Sequence, residues 1–415
     1  VSLAPPPPAA RRGPPPPPPI ATVSGGRYKL IERIGAGGFA QVFRGIDTHT
    51  DEYVAVKLEN YEDEQQALQL EDEAGLLRSI TAPDRPEGFA TVLCNGDEGH
   101  FHFMVTALLG DPVSSLVERP DGTRPLPQTQ VALLAEQMIS RLALLHSKGI
   151  VHRDVKPENF VFGRGCEASH IYLIDFGLSR RYFEKGKHIP MRTGLTPRGT
   201  LRYASVNVLK GVEASRRDDL EALGYVLIYL AKGSLPWSGL GPFAVEDFPK
   251  MRRRIFQKKE ETPLRELCNG LDGGFEAFLR EVRQLKFDER PNYTRLRRHF
   301  HATSKRSAGE ALPWLPGTEE QQRLQQPGLL PLEPWREPRQ PDLAYRKSAP
   351  PLGAAAKLEA VQRLVCAAFC CEAVTPASRI DEGEEALMSM TSGSLTSPMS
   401  SRRSSGSSRT ENDSD

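Results

Sequence analysis

The chain carries His152-Arg153-Asp154-Val155-Lys156-Pro157-Glu158-Asn159, and sixteen residues after Asn159 comes Asp175-Phe176-Gly177. Each string alone is short enough to arise by chance. Both together, in this order and at this separation, outline a phosphoryl-transfer site, a constraint that any fold for this chain has to satisfy. Such chemistry needs a carboxylate at the attacking hydroxyl, and Asp154 would accept that proton. Lys156, two positions on, can neutralise charge building on the γ-phosphoryl group. Asn159 offers an amide oxygen and Asp175 a carboxylate, hard ligands of the kind Mg²⁺ requires while it bridges phosphates. Asp154, Lys156 and Asn159 are thus the candidate catalytic residues, and Asn159 and Asp175 the candidate metal ligands.

Upstream, Ile34-Gly35-Ala36-Gly37-Gly38-Phe39-Ala40-Gln41-Val42 has the form of a glycine-rich loop, in which backbone N–H groups approach phosphates because side chains are absent. Ala40 stands where a third glycine would complete the pattern. Gly35 and Gly37 would be an ordinary hairpin turn were it not for Val54-Ala55-Val56-Lys57, which follows at the right distance and supplies a lysine for the α- and β-phosphates. Ile34, Gly35, Gly37, Val42, Ala55 and Lys57 are therefore expected to bind ATP. Lys57 needs an acidic partner on the next helix; Glu73 fits best when Leu76, Leu77 and Ile80 point inward, and Glu71 is the alternative. Glu62, Asp63, Glu64 and Asp72 read as a solvated face.

The apolar fraction of 39% supports a real core, and a net charge of +1 provides no global field toward nucleic acid or a membrane. Six cysteines, three of them Cys366, Cys370 and Cys371, do not form a secreted disulfide framework, so an intracellular place, cytoplasm or nucleus, is expected. No apolar run reaches the length of a transmembrane span, and proline fills the region where a signal peptide would need aliphatic residues. Residues 1–26 read as a disordered Pro-rich leader, 27–303 as one catalytic domain, and 304–415 as a largely disordered tail. Within the domain, Tyr28, Leu30 and Ile34 and then the alternating Val54, Val56 and Leu58 predict strands. A helix is predicted over Glu64–Ile80 despite Gly75, another over Val131–Leu145 ending at Lys148 and Gly149, and a buried one over Leu220–Ala231.

From about Tyr28 to Phe300 these residues resemble the casein kinase 1 family. Where most protein kinases have Ala-Pro-Glu, this chain has Gly199-Thr200-Leu201-Arg202-Tyr203-Ala204-Ser205-Val206-Asn207. Ser215-Arg216-Arg217-Asp218-Asp219-Leu220-Glu221, Leu223-Gly224-Tyr225, Gly233-Ser234-Leu235-Pro236-Trp237 and Phe287-Asp288-Glu289-Arg290-Pro291-Asn292-Tyr293 are further matches, while Arg198-Gly199-Thr200 also looks like the tau-tubulin kinase branch. The resemblance implies an α+β, bilobal protein kinase fold, with a small antiparallel sheet lobe plus one helix and a larger, mainly helical lobe. It implies a serine/threonine kinase using ATP and Mg²⁺ and favouring substrates with a phosphate or acidic residue three positions before the target. Thr200 would steady Asp154; Thr106 would back the adenine pocket, with Leu108 and Leu109 as the hinge; Asp219 and Arg290 would brace the catalytic loop and the lower lobe. Arg202 would read the substrate anion, or alternatively sit in an internal ion pair. The family usually has a lysine soon after its Leu-Pro-Trp turn, and here the chain runs Gly239-Leu240-Gly241-Pro242; nearby Lys250, Arg252, Arg253 and Arg254 read by default as a solvated helix face.

Protein substrates are the expected partners of a monomer, and Arg11-x-x-Pro14-x-x-Pro17 has the form of a ligand for SH3-type domains, although such patterns arise readily in any Arg- and Pro-containing repeat and a simple spacer is the preferred reading. A short amphipathic helix is expected within 354–372. The Ser-rich end spaces Thr391, Ser394, Ser397 and Ser400 by three, which suggests an autophosphorylated pseudosubstrate against the background of chance in a Ser-rich tail. Two other classes compete: a kinase-fold scaffold without catalysis, which would bind nucleotide without turnover, and a small-molecule phosphotransferase, disfavoured by Arg202-Tyr203-Ala204-Ser205.

Overall fold

The computed structural model describes residues 19–36, 40–60, 69–119, 122–240 and 248–305. Six strands, Thr22–Val23 (β1), Tyr28–Ala36 (β2), Ala40–Asp47 (β3), Tyr53–Asn60 (β4), Val92–Glu98 (β5) and Phe101–Ala107 (β6), form one sheet in the order β1-β2-β3-β4-β6-β5. Every pairing in it is antiparallel. Because side chains alternate along a strand, Val54, Val56 and Leu58 enter a core with Tyr28, Leu30, Phe43, Phe103 and Val105, while Ala55 and Lys57 face the other way. The register sets Lys57 opposite Val42 on one side and Ala55 opposite Thr106 on the other.

Two details differ from the sequence expectation. β1 pairs Thr22 with Lys29 and Val23 with Tyr28, and Val23 is fully buried, so the ordered domain starts inside the expected 1–26 leader. A two-residue strand followed directly by Ser24, Gly25 and Gly26 is too short to show a periodicity. Two bulges in the β2–β3 ladder, at Leu30/Glu32 and Arg33/Gly35, take Ile34 off the face occupied by Tyr28 and Leu30, and it is 48% exposed. The first helix, α1, spans Gln69–Thr81; residues 61–68, with Glu62, Asp63 and Glu64, lie outside the described residues. Glu59 at the end of β4 accepts the Leu70 N–H at 2.8 Å and so satisfies one of the orphan donors at the start of α1.

The second lobe is helical: α2 (Gln128–Ser147), α3 (Val206–Lys210), α4 (Arg216–Lys232), α5 (Phe248–Glu261), α6 (Leu264–Leu267), α7 (Gly273–Gln284) and α8 (Tyr293–Ser304). Val131, Leu134, Ala135, Met138, Ile139, Leu142 and Leu145 of α2 are all fully buried, as a one-sided stripe requires. Gly149, at φ 77°, turns the chain out of this helix toward the strand Ile150–Val151. α4 is buried nearly all round, and its start is fixed by the Ser215 N–H donating to Asp218 Oδ2 at 2.8 Å. Gly224 lets α7 close in: a Cβ there would lie 2.3 Å from Leu279 Cδ2. The result is the α+β, two-lobed arrangement, with an antiparallel sheet and one helix above a larger helical portion. Among the described residues no helix is long and apolar enough to cross a membrane. The Pro-rich stretch through residue 18, the expected helix within 354–372 and the Ser-rich end lie outside the described residues.

Candidate active site

The loop from His152 to Asn159 is folded by a carboxylate far away in sequence. Asp219, in the first turn of α4, accepts the His152 N–H at 2.7 Å through Oδ2 and the Arg153 N–H at 2.8 Å through Oδ1. Its Oδ2 also meets His146 Nε2 at 2.9 Å, and His146 Nδ1 lies 2.7 Å from the Tyr293 hydroxyl. Arg153 takes φ 69°, a conformation unfavourable for a residue with a side chain, and the two bonds to Asp219 help hold the turn there. His152 Nε2 sits 3.0 Å from the Ile174 carbonyl, which can only accept, so this nitrogen carries the proton and ties the loop to Asp175.

The two oxygens of Asp154 are used differently. Oδ1 accepts both the N–H and the hydroxyl of Thr200, each at 2.8 Å. Oδ2 faces Lys156 Nζ at 3.0 Å. Burial works against the Lys156 ammonium, but the adjacent Asp154 carboxylate outweighs it and the pKa lies above that of an ordinary lysine. Gly199, at φ 81°, allows the approach of Thr200, since a Cβ would stand 2.4 Å from the Arg153 carbonyl. Asn159 donates its amide N–H to the Asp154 carbonyl at 2.9 Å, which leaves the amide oxygen as its outward donor atom.

Lys57 lies between two carboxylates, with Nζ 2.7 Å from Glu73 Oε2 and 2.9 Å from Asp175 Oδ1. Glu73, and not the exposed Glu71, turns inward on α1, and its other oxygen accepts the Phe176 N–H at 3.3 Å. Burial lowers the Lys57 pKa, but Asp175 and Glu73 overcome it and hold the ammonium above the usual lysine range. The same ammonium holds Asp175 well below the usual carboxylate range, while burial pushes Glu73 up. Asp175 is 43% exposed and opens to the cleft. A lysine aimed at the cleft, an amide oxygen and an ionised carboxylate form a donor set that fits a nucleoside triphosphate with a hard divalent cation such as Mg²⁺. Among the described residues there is no cluster of three His, Cys, Asp or Glu that would hold a metal without phosphate oxygens.

The other described residues of the predicted site lie on the sheet, in the connection between the lobes and on the segment before α3. Gly35 is paired with Val42, Ala55 with Thr106, and Ala40 with Glu59; Gly37 lies outside the described residues. Leu108 and Leu109 are half-buried in the connection between lobes, and the next residue docks on the strand that follows Asn159, with the Gly110 N–H donating to the Phe162 carbonyl at 2.8 Å. Arg202 is half-buried with its guanidinium 6.0 Å and 5.9 Å from the ring centres of Tyr203 and Tyr229, and its backbone carbonyl accepts from Trp237 Nε1 at 2.7 Å.

Asp219 holds the catalytic loop as the resemblance implied, but sequence reasoning passed over its partners His146 and Tyr293 and a group of arginines. Glu213, buried, takes Arg180 at 3.1 Å and Arg192 at 2.5 Å. Arg153 is brought down to about 10, first by burial and then by the nearby Arg198 and Arg180. Arg180 and Arg192 follow the Asp175 motif closely enough that their charge was a usable signal, but nothing in the local sequence links them to Glu213. Residues 28–301, more than half of the chain, match the family profile described as protein kinase domain. With the two lobes, the paired Lys57 and Glu73 and the Asp154 loop in place, this protein belongs to the protein kinase family.

Proposed function

We propose that the chain is a serine/threonine protein kinase of the casein kinase 1 group that uses ATP with Mg²⁺ and favours protein substrates already phosphorylated or acidic near the target. The observation that carries this reading is the asymmetric Asp154 carboxylate: Oδ1 takes both Thr200 bonds, while Oδ2, with Lys156 Nζ at 3.0 Å and the Asn159 amide at 3.5 Å beside it, is the oxygen that would take the incoming hydroxyl. MgATP supplies the electrophilic γ-phosphoryl group. Asp154 Oδ2 orients the substrate hydroxyl and takes its proton as the new P–O bond forms and the bond from the γ-phosphorus to the bridging oxygen breaks, with ADP as the leaving group, and Lys156 offsets the negative charge that accumulates beside it. Lys57, fixed by Glu73, holds the α- and β-phosphates, and Asn159 and Asp175 offer the oxygens for the cation. Ile34, Gly35, Gly37, Val42, Ala55, Thr106 and Leu109 make the nucleotide's surroundings.

The preference for anionic substrates is supported by the excess of guanidinium over carboxylate around Glu213, where Arg153, Arg180, Arg192 and Arg198 gather, and by Arg202. For Arg202 the ring contacts keep a guanidinium ordered at low entropic cost, which suits bidentate recognition of phosphate. The test is transfer of labelled γ-phosphate to two matched peptides, one with phosphoserine and one with alanine three residues before the target serine, with Asp154→Asn as control. Faster transfer to the phosphorylated peptide is the expected result. Equal transfer to both would remove the anion preference, and nucleotide binding without transfer above the control would leave a kinase-fold scaffold. We further propose a domain of about 27–303, extended by β1, with the flanking segments acting as partner-binding or regulatory tails.

A further inference from the structure

Lys259 lies on the same helix, α5, as Lys250, Arg252, Arg253 and Arg254, the residues that read as a solvated face, yet its own side chain is fully buried. Its Nζ donates to the Ala204 carbonyl at 2.6 Å and to the Leu201 carbonyl at 3.1 Å. The same nitrogen lies 4.5 Å from the ring centre of Tyr225 and 4.9 Å from that of Trp237. Burial pulls its pKa well below the ordinary lysine value, with Glu221 acting against that and Arg283 with it. A lysine is an expensive choice for such a place, where a methionine of similar length would fill the volume without desolvating an amine. What the amine adds is two hydrogen bonds to backbone oxygens three residues apart.

Those oxygens belong to the segment that orders the catalytic base. Between them, the Arg202 carbonyl is taken by Trp237 Nε1, so three carbonyls of one turn are gripped from the core side. The following residues are held as well: Ser205 Oγ donates to Asp218 Oδ1 at 2.6 Å and the Val206 N–H to Glu221 Oε1 at 3.2 Å. The turn closes through the Tyr203 and Ala204 N–H groups, both donating to the Thr200 carbonyl at 3.0 Å. Thr200 in turn carries the two bonds to Asp154 Oδ1.

We propose that Lys259 is a positioning residue, which pins the Thr200–Ala204 turn through the Leu201 and Ala204 carbonyls and thereby sets Thr200 against Asp154 and presents Arg202 to the peptide substrate. This rests on the reading of Asp154 as the base. A small rotation of the turn moves both Thr200 and Arg202, whereas the nucleotide groups Lys57, Glu73 and Asp175 hang on other elements and stay put.

The experiment is Lys259→Met in the full chain, with Trp237→Phe as a second variant that keeps a ring in the core and removes one carbonyl contact. Peptide and ATP are varied separately in steady-state kinetics, and backbone hydrogen exchange is followed for residues 200–206 and for α4 and α7. The expected result for Lys259→Met is a loss of roughly 10- to 100-fold in kcat/KM for the peptide, an ATP KM within about twofold of wild type, and faster exchange confined to 200–206. Trp237→Phe should shift the same quantities in the same direction by less. Unchanged peptide kinetics and unchanged exchange in Lys259→Met would overturn the proposal. So would an equal loss of ATP affinity together with faster exchange throughout α4 and α7, which would make Lys259 a general core residue. Should the wild-type chain itself transfer no phosphate, it is the base assignment that falls, and the exchange pattern decides whether Lys259 anchors the turn.

Discussion

Thr200 donates its backbone N–H and its hydroxyl to one and the same oxygen of Asp154, each at 2.8 Å. A carboxylate gripped in this way cannot rotate, so its second oxygen has a defined direction. Thr200→Ala keeps the backbone bond and loses the hydroxyl bond, which as a hydrogen bond to a charged group contributes about 1.5–3 kcal/mol. The expected outcome is a kcat reduced roughly 10- to 100-fold, near-normal kcat in Thr200→Ser, and a reduction of about 10²- to 10⁴-fold for the general-base contribution alone in Asp154→Asn. Single-turnover rates at saturating ATP measure all three.

Lys57 bridges Glu73 and Asp175, so neutralising Glu73 leaves the ammonium to Asp175 alone and draws that carboxylate away from the cation it should hold. Glu73→Gln is expected to weaken ATP binding by about 10-fold, the equivalent of about 1.4 kcal/mol. Glu71→Gln, on the exposed side of the same helix, should leave it unchanged. Calorimetric titration of both variants with ATP and Mg²⁺ compares them directly; equal affinities would remove Glu73 from the nucleotide site.

Asp218 makes stability depend on pH in the direction opposite to most carboxylates. Burial raises its pKa to about 6, against about 3.9 for an exposed aspartate. The folded state therefore binds this proton more tightly than the unfolded chain, and the associated stabilisation is complete below about pH 4 and lost as the pH climbs through about 6. The loss is about 3 kcal/mol over that window. Asp218→Asn can still meet Ser205 and Ser215 and should remove this component, seen as a flatter dependence of the urea midpoint on pH between about 4 and 6.

Two helical glycines should respond in opposite ways to alanine. Gly75 on α1 is exposed and has nothing within 4 Å of a Cβ position, so Gly75→Ala should stabilise the fold by about 1 kcal/mol. At Gly224 the Cβ would fall 2.3 Å from Leu279 Cδ2 and 2.8 Å from its Cγ, and overpacking between α4 and α7 should cost about 1–3 kcal/mol. Thermal melts of the two variants decide both.

Local order determined a large part of this protein. The stripe from Val131 to Leu145, the alternation of Val54, Val56 and Leu58, and the strings around Asp154 and Asp175 are short-range patterns, and residues within one helix turn, strand or loop constrain one another directly. The family-level reading of a two-lobed kinase followed from them. What depended on the tertiary structure were choices between residues with equal local credentials. Glu73 and Glu71 sit on the same helix, and only the packing of α1 decides which of them meets Lys57. Asp219 shapes the His152–Asn159 loop from more than sixty residues away, through bonds to backbone N–H groups that leave no mark in the loop's own composition. Lys259 carries the same charge as Lys250, Arg252, Arg253, Arg254 and Lys258 of α5 and differs from them in where the helix puts it, beneath the carbonyls of Leu201 and Ala204. Charge and polarity are properties of a residue, but burial and partnership belong to the assembled chain.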